Sequence, residues 1–366
     1  MQGTRRKFDR NSPEVRAFLR EVRSATFTKE GMMVAFAPCF PGMTVPIVPD
    51  ESRITALDAT RDGIIYGGTS GRQTHLFAAA FHGLTGIVFD LGVVPSASHC
   101  AALCCAENQA VALVNGPRGG RAILVPMVRI SEDLVQEWGF RRPAFDDLGE
   151  CVAGEPVVHA VAEPSGSVVG TTTRHVFRLD PKSRKTEVAG EAPAGGRIAL
   201  TSKGNVIGRD GERHLWHFDP RSPGLRRRAF ELPGGLWKHP LFWARNTLSG
   251  LLFTADESGQ LFSFDEDKGF SGPLAKTALA PVGPMAVTFD GRVFGFCGTE
   301  MSKLFCLDPA AGTVTNLGGA ASVIERRRYG YAFGDAVTGR DGEIVFGEDD
   351  NGGHLWLYFP KIMPKT

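Results

Sequence analysis

Apolar runs of about five residues recur along the chain, some alternating with polar residues at period two, and Asp-Gly or Ser-Gly pairs separate many of them. One phrase repeats: a strand-like run, a turn, a second run ending in Gly, a polar loop, then Leu-Phe or Leu-Trp and often Asp. Clear copies begin at Ile54, Val157, Gly196, Phe242, Pro284 and Phe333, and a degraded copy begins at His99. Their turn positions are Gly63, Gln109, Gly166, Gly204, Gly250, Gly291 and Gly342, a spacing of about 46 residues. Four-stranded propeller blades repeat at about that length. The pattern predicts an all-β, seven-bladed β-propeller with blades from about 52 to 360. Helical repeats are excluded, because each turn joins two strand-like runs.

The ends of the pattern are incomplete separately. The last copy stops after three strands at Tyr358-Phe359-Pro360, and a lone strand-like run occupies 32–38. That run is expected to supply the outer strand of the last blade and close the ring, which removes exposed sheet edges. One amphipathic helix is expected from about Ser12 to Ser24, with Ser12 as N-cap and Pro13 in its first turn. The chain thus divides into a helical appendage, 1–30, and a propeller, 31–366. The insertion Ser131–Gly149 is expected to form a short helix on a rim.

Composition narrows the class. There are 45 Gly and 23 Pro among 366 residues, about a fifth of the chain against roughly 12 % on average, which suits a turn-rich β fold. The 25 Phe supply a sizeable core and exclude disorder. Lys and Arg (41) balance Asp and Glu (40), so a nucleic-acid partner is not expected. No apolar run reaches the ~20 residues of a membrane helix. The stretch Met1–Arg23 is charged throughout and lacks the apolar core of a signal, which predicts a cytoplasmic protein, or a periplasmic or secreted one if a signal has been removed. The seven cysteines read as reduced core residues. Cys100, Cys104 and Cys105 beside His99 lack the C-x2-C form of a zinc site, so no metal or other cofactor is assigned. No nucleophile elbow, P-loop, dinucleotide fingerprint or H-E-x-x-H motif is present.

In a propeller, the entrances to the inner strands and the loops between second and third strands open on one face. That register places Arg174 and Arg213 in second-to-third-strand loops. It places His99, His159, Arg197, His239, Trp243, Arg245 and Tyr331 at inner-strand entrances, with Arg326, Arg327 and Arg328 beside them. His75, His175, His214 and His354 share one repeat position, which favours a role in the repeat itself. His99, His159 and His239 do not share a position and are open to a functional reading. Arginine suits a carboxylate, and histidine exchanges a proton near neutral pH. Trp243 would either stack on a sugar ring or pack between blades. Glu348, Asp349 and Asp350 form an acidic run that would serve as acid/base groups, bind a hard cation or remain solvated.

The run YGGTSGRQTHLF in the first blade, His99 opening the next, and the closing GEDDNGGHLWLYFP resemble propeller-fold polysaccharide lyases, the group of ulvan and rhamnose–glucuronate lyases. The resemblance implies β-elimination on a uronic-acid-containing oligosaccharide at the axial face. It makes His75 and His99 the acid/base pair and Tyr331 their helper. Arg174, Arg197, Arg213 and Arg245 become carboxylate neutralisers, and His159, His239 and Trp243 complete the substrate site. The expected partner is an acidic oligosaccharide, with the chain a monomer or weak homodimer. A propeller glycoside hydrolase and a non-catalytic scaffold binding a protein or ligand are the alternatives.

Overall fold

A computed structural model describes residues 9, 11–23, 31–36, 47–83, 85–106, 109–127, 144–192, 196–222, 224–234, 237–322, 329–350 and 352–361. The chain is a seven-bladed β-propeller. Seven antiparallel sheets form blades 1 to 6 (53–94, 99–150, 157–191, 199–231, 244–276 and 282–330) and blade 7. Blade 7 takes three strands from 333–360 and its outer strand from Gly31–Phe36, which pairs with Leu355–Pro360 in the register Gly31↔Pro360 to Phe36↔Leu355. The outer strand of blade 5 is split into Gly269–Phe270 and Ala275–Lys276.

The recurring phrase now has a physical cause. The Gly closing the second strand faces an aromatic of the third strand: Gly67↔Phe77, Gly170↔Phe177, Gly208↔Trp216 and Gly295↔Phe305 are direct cross-strand partners. The ring lies across the bare Cα, so a Cβ at Gly67, Gly170 or Gly208 would land in the ring. Turn glycines such as Gly204 and Gly342 have φ near +80° to +87°, a region that other residues rarely enter. Buried apolar clusters then fill the spaces between neighbouring blades; Phe89, Leu91 and Val114, for example, join blades 1 and 2. The ring is thus held by packing between blades rather than within one.

One expectation about the periphery needs revision. The segment Asp146–Glu150 is the outer strand of blade 2, pairing with Gly119–Val125, so the end of the rim insertion is strand and not helix. A rim helix over the preceding part, 128–143, lies outside the described residues, as do Cys39 and Arg326 to Arg328. The helix α1, Pro13–Arg23, begins after Ser12, whose Oγ accepts the N–H of Val15. Among the described residues no helix is long and apolar enough to cross a membrane.

Candidate functional site

The inner strands set the channel. Counting three residues back from the last paired rung before each turn gives one ring of positions: Ala56, Leu103, His159, Arg197, Phe242, Pro284 and Asp335. Arg197 of blade 4 crosses this ring. Its guanidinium ion-pairs with Asp335 of blade 7 and donates to the Gly334 carbonyl at 2.6 Å, while stacking 4.8 Å over the Phe242 ring. Asp335 also accepts the N–H groups of Leu57 (2.8 Å) and Ala336 (2.9 Å). Lower in blade 1, Asp58 accepts the N–H groups of Cys105 (2.7 Å) and Ala59 (2.9 Å). Each acid thereby satisfies the free edge of the next blade's inner strand. Among the described residues no cation pairs with Asp58, and burial, with the Asp335 charge adding, pushes its pKa up to about 7.

His99 stands at the channel mouth in a network that fixes its tautomer. Its Nδ1 lies 2.9 Å from Ser70 Oγ. Ser70 Oγ lies 2.6 Å from Thr55 Oγ1, which lies 2.7 Å from the Cys100 carbonyl, and Ser70 Oγ also accepts the Cys100 N–H. Three contacts need three protons, and the two hydroxyls supply two. Thr55 donates to the carbonyl, Ser70 donates to Thr55, and the third proton is that of His99 Nδ1. Nε2 is therefore a free base. His99 is exposed at its outer edge, and partial desolvation by the surrounding channel wall, reinforced by Arg53, lowers its pKa, which favours the neutral ring at pH 7.

Arg53 donates through Nε to Asp349 at 2.9 Å and is nearly half exposed. Asp349 in turn borders an axial cavity of about 250 Å³ together with His239, Phe242, Thr299, Ser302 and Gly334.

His159 has the opposite tautomer. Its Nδ1 accepts the Ile198 N–H at 3.2 Å, so its proton sits on Nε2. Burial, with Arg197 adding, holds its pKa well below the usual imidazole value. His239 reaches Glu257 at 3.2 Å at the cavity rim.

The other predicted residues are placed differently. His75 is buried between two carboxylates, with Nε2 2.9 Å from Glu51 and Nδ1 3.3 Å from Asp90, and Glu51 also holds Arg72 and Gln73. His175 and Arg174 both bind Glu155 of their own blade, and His354 lies 3.2 Å from Glu348. These pairs tie second-to-third-strand loops to their blades. Arg213 is exposed on the rim of blade 4. Arg245 is not at an entrance: it is the last paired residue before its turn, opposite Leu252, because the inner strand of blade 5 has only two paired residues. Trp243 packs on Phe264 and Phe270 and donates to the Arg197 carbonyl, the inter-blade alternative. Tyr331 packs with Val15, Met301 and Tyr329 under α1, while its neighbour Ala332 borders the cavity. Burial raises the thiols of Cys100, Cys104 and Cys105 far from thiolate.

Sequence reasoning missed Arg53, Ser70, Asp58 and Asp335. Their signal is a polar residue inside or beside an inner strand that is otherwise apolar.

No family model matches the chain, and no curated protein matches it in sequence. Solved structures match over most of its length. A streptogramin B lyase has TM-score 0.63 at 10 % identity, over 90 % of this chain and 97 % of that one. A catalytically inactive histidine-to-alanine virginiamycin B lyase from Staphylococcus aureus, with quinupristin, has TM-score 0.61 at 10 % identity, over 90 % and 99 %. YCF48 bound to D1 peptide has TM-score 0.60 at 10 % identity, over 92 % and 97 %. At such identity the likeness establishes the seven-bladed fold alone. None of the three bears the name of a polysaccharide lyase, so the resemblance read from the sequence holds at the level of the fold.

Proposed function

We propose that this propeller is a lyase that carries out β-elimination, breaking the carbon–oxygen bond at the carbon β to a carboxylate, with a uronate-containing oligosaccharide as substrate class. The observation that carries the reading is the His99 tautomer: a neutral imidazole with an unprotonated Nε2 at the mouth of the channel. Nε2 takes the proton from the carbon next to the carboxylate. The C–H electron pair becomes the new double bond, the adjacent C–O bond breaks, and the departing oxygen takes a proton back from the His99 imidazolium. Negative charge builds on the carboxylate in the transition state, so a cation there lowers the barrier. Arg53 fills that role. It engages Asp349 through Nε, and among the described residues its terminal nitrogens have no hydrogen-bond partner. Arg197 and Arg174 are committed to Asp335 and Glu155 and are assigned to structure. His75 is assigned the same way, and His159 offers a hydrogen-bond donor.

The likeness to two lyases, one of them inactive once a histidine is removed, agrees with this class of chemistry without fixing the substrate. The test is ultraviolet absorbance during incubation with uronate oligosaccharides, because elimination conjugates the new double bond to the carboxylate.

One observation favours a second reading. The axial cavity is smaller than the 300–1,000 Å³ typical of small-molecule sites. A non-catalytic propeller that binds a peptide, as YCF48 binds D1 peptide, needs no deep pocket. Such a scaffold would form no absorbing product and would not depend on His99.

A further inference from the structure

The helix α1 lies on the entrance face and contributes a carboxylate to it. Glu14 Oε2 accepts the backbone N–H groups of Thr299 (3.2 Å) and Glu300 (3.0 Å) and the Thr299 hydroxyl (3.4 Å). Three donors converge on one oxygen because Gly298, at φ +98°, turns the chain so that successive N–H groups point the same way. A side chain at Gly298 would strain this φ and crowd Leu279 Cδ1 at 3.1 Å, so the turn that aims the amides at Glu14 depends on glycine. The same loop borders the axial cavity through Gly298, Thr299 and Ser302. No basic side chain takes part among the described residues. The loop recognises a carboxylate by backbone amides.

Among the described side chains, α1 also docks through Val15, buried against Met301, Tyr329 and Tyr331, and through a hydrogen bond from Ser12 to Glu300. An 11-residue helix is marginal in water on its own, so α1 persists only while docked.

We propose that the Gly298–Glu300 loop is a carboxylate-binding subsite of the entrance face, and that Glu14 is a built-in stand-in for the ligand. A ligand carboxylate arriving through the cavity replaces Glu14, releases α1 and uncovers Tyr331. This goes beyond the chemistry proposed above, since a binding scaffold would carry the same subsite.

The test uses the full chain with glucuronate as probe and glucose as uncharged control, binding being measured by calorimetry. Glu14→Gln removes the competing charge and leaves the helix sequence otherwise intact; Val15→Asp undocks the helix. Both are expected to bind glucuronate at least tenfold more tightly than the parent chain, with no gain for glucose. Adding Gly298→Ala to Glu14→Gln is expected to abolish the gain. Glucuronate is also expected to speed tryptic cleavage at Arg16 and Arg20 of the parent chain. Unchanged glucuronate affinity in Glu14→Gln, or an equal gain for glucose, overturns the proposal. Binding is read here without turnover, so an absent elimination product leaves this result unaffected.

Discussion

His99 Nδ1 and Ser70 Oγ are 2.9 Å apart, and the hydroxyl protons around them are already spent on Thr55 and the Cys100 carbonyl. The imidazole must therefore donate. Nitrogen-15 NMR is expected to report His99 as the Nδ1–H tautomer at pH 7. Ser70→Ala removes the acceptor and releases the ring to the Nε2–H form, whose Nε2 cannot accept a proton. A His99 signal protonated at Nε2 in the parent chain would contradict the network.

Arg197 spans the channel from blade 4 to Asp335 of blade 7. Removing one member of a mostly buried pair leaves the other charge unmatched, which costs about 3 kcal/mol. Arg197→Met is expected to lower unfolding stability in urea by about that amount. The double variant Arg197→Met with Asp335→Asn should recover much of the loss, and equal losses in single and double variants would show that the pair does not bridge the ring.

Stability should peak in mildly acidic solution. Burial alone would lower the His75 pKa, but Asp90 and Glu51 outweigh it and raise it. Its contribution is complete below the unfolded value of 6.5 and is lost as pH rises through the folded value. Glu51 goes the other way: burial is outweighed by His75, Gln73 and Arg72, so its contribution holds above 4.5 and fades in acid. Asp58, raised from 3.8 to about 7, loses stability progressively between those values. The melting temperature is expected to be highest between pH 4.5 and 6.5 and to fall toward pH 8.5. His75→Gln should flatten the alkaline side, and an unchanged slope would remove His75 from the account.

The glycine–aromatic pairs should be intolerant of a single methyl group. Gly208→Ala places a Cβ in the Trp216 ring, and overpacking of this kind costs about 1–3 kcal/mol. Gly234→Ala, where nothing lies within 4 Å, is the control and is expected to be near neutral. Equal effects at both positions would mean that the ring does not set the requirement for glycine.

The fold is legible in the sequence because its signals are local and repeated. A turn glycine, a glycine facing an aromatic and an apolar inner strand recur at a spacing of about 46 residues, and each copy reinforces the others. The site is legible only in part. His99 stands out because it breaks the repeat, and of the four histidines at a shared position His75, His175 and His354 pair with Glu51, Glu155 and Glu348, whereas His214 has no such ion pair among the described residues. Partners are what a linear reading cannot supply. Arg197 meets Asp335 across 138 residues, and Arg53 meets Asp349 across 296. Arg245 was legible as an inner-strand residue but not as one at the far end of the channel, because blade 5 has only two paired residues in its inner strand.

The central claim is that His99 Nε2 abstracts a proton, and absorbance during incubation with a panel of uronate-containing oligosaccharides tests it most directly. The parent chain is expected to give a rising ultraviolet signal whose rate falls only as pH drops below 6.5, in line with the lowered pKa of His99. His99→Ala should reduce that rate by about 10²-fold or more, the usual contribution of a general base. New reducing ends without absorbance, or an absorbance rise that His99→Ala leaves unchanged, would contradict it.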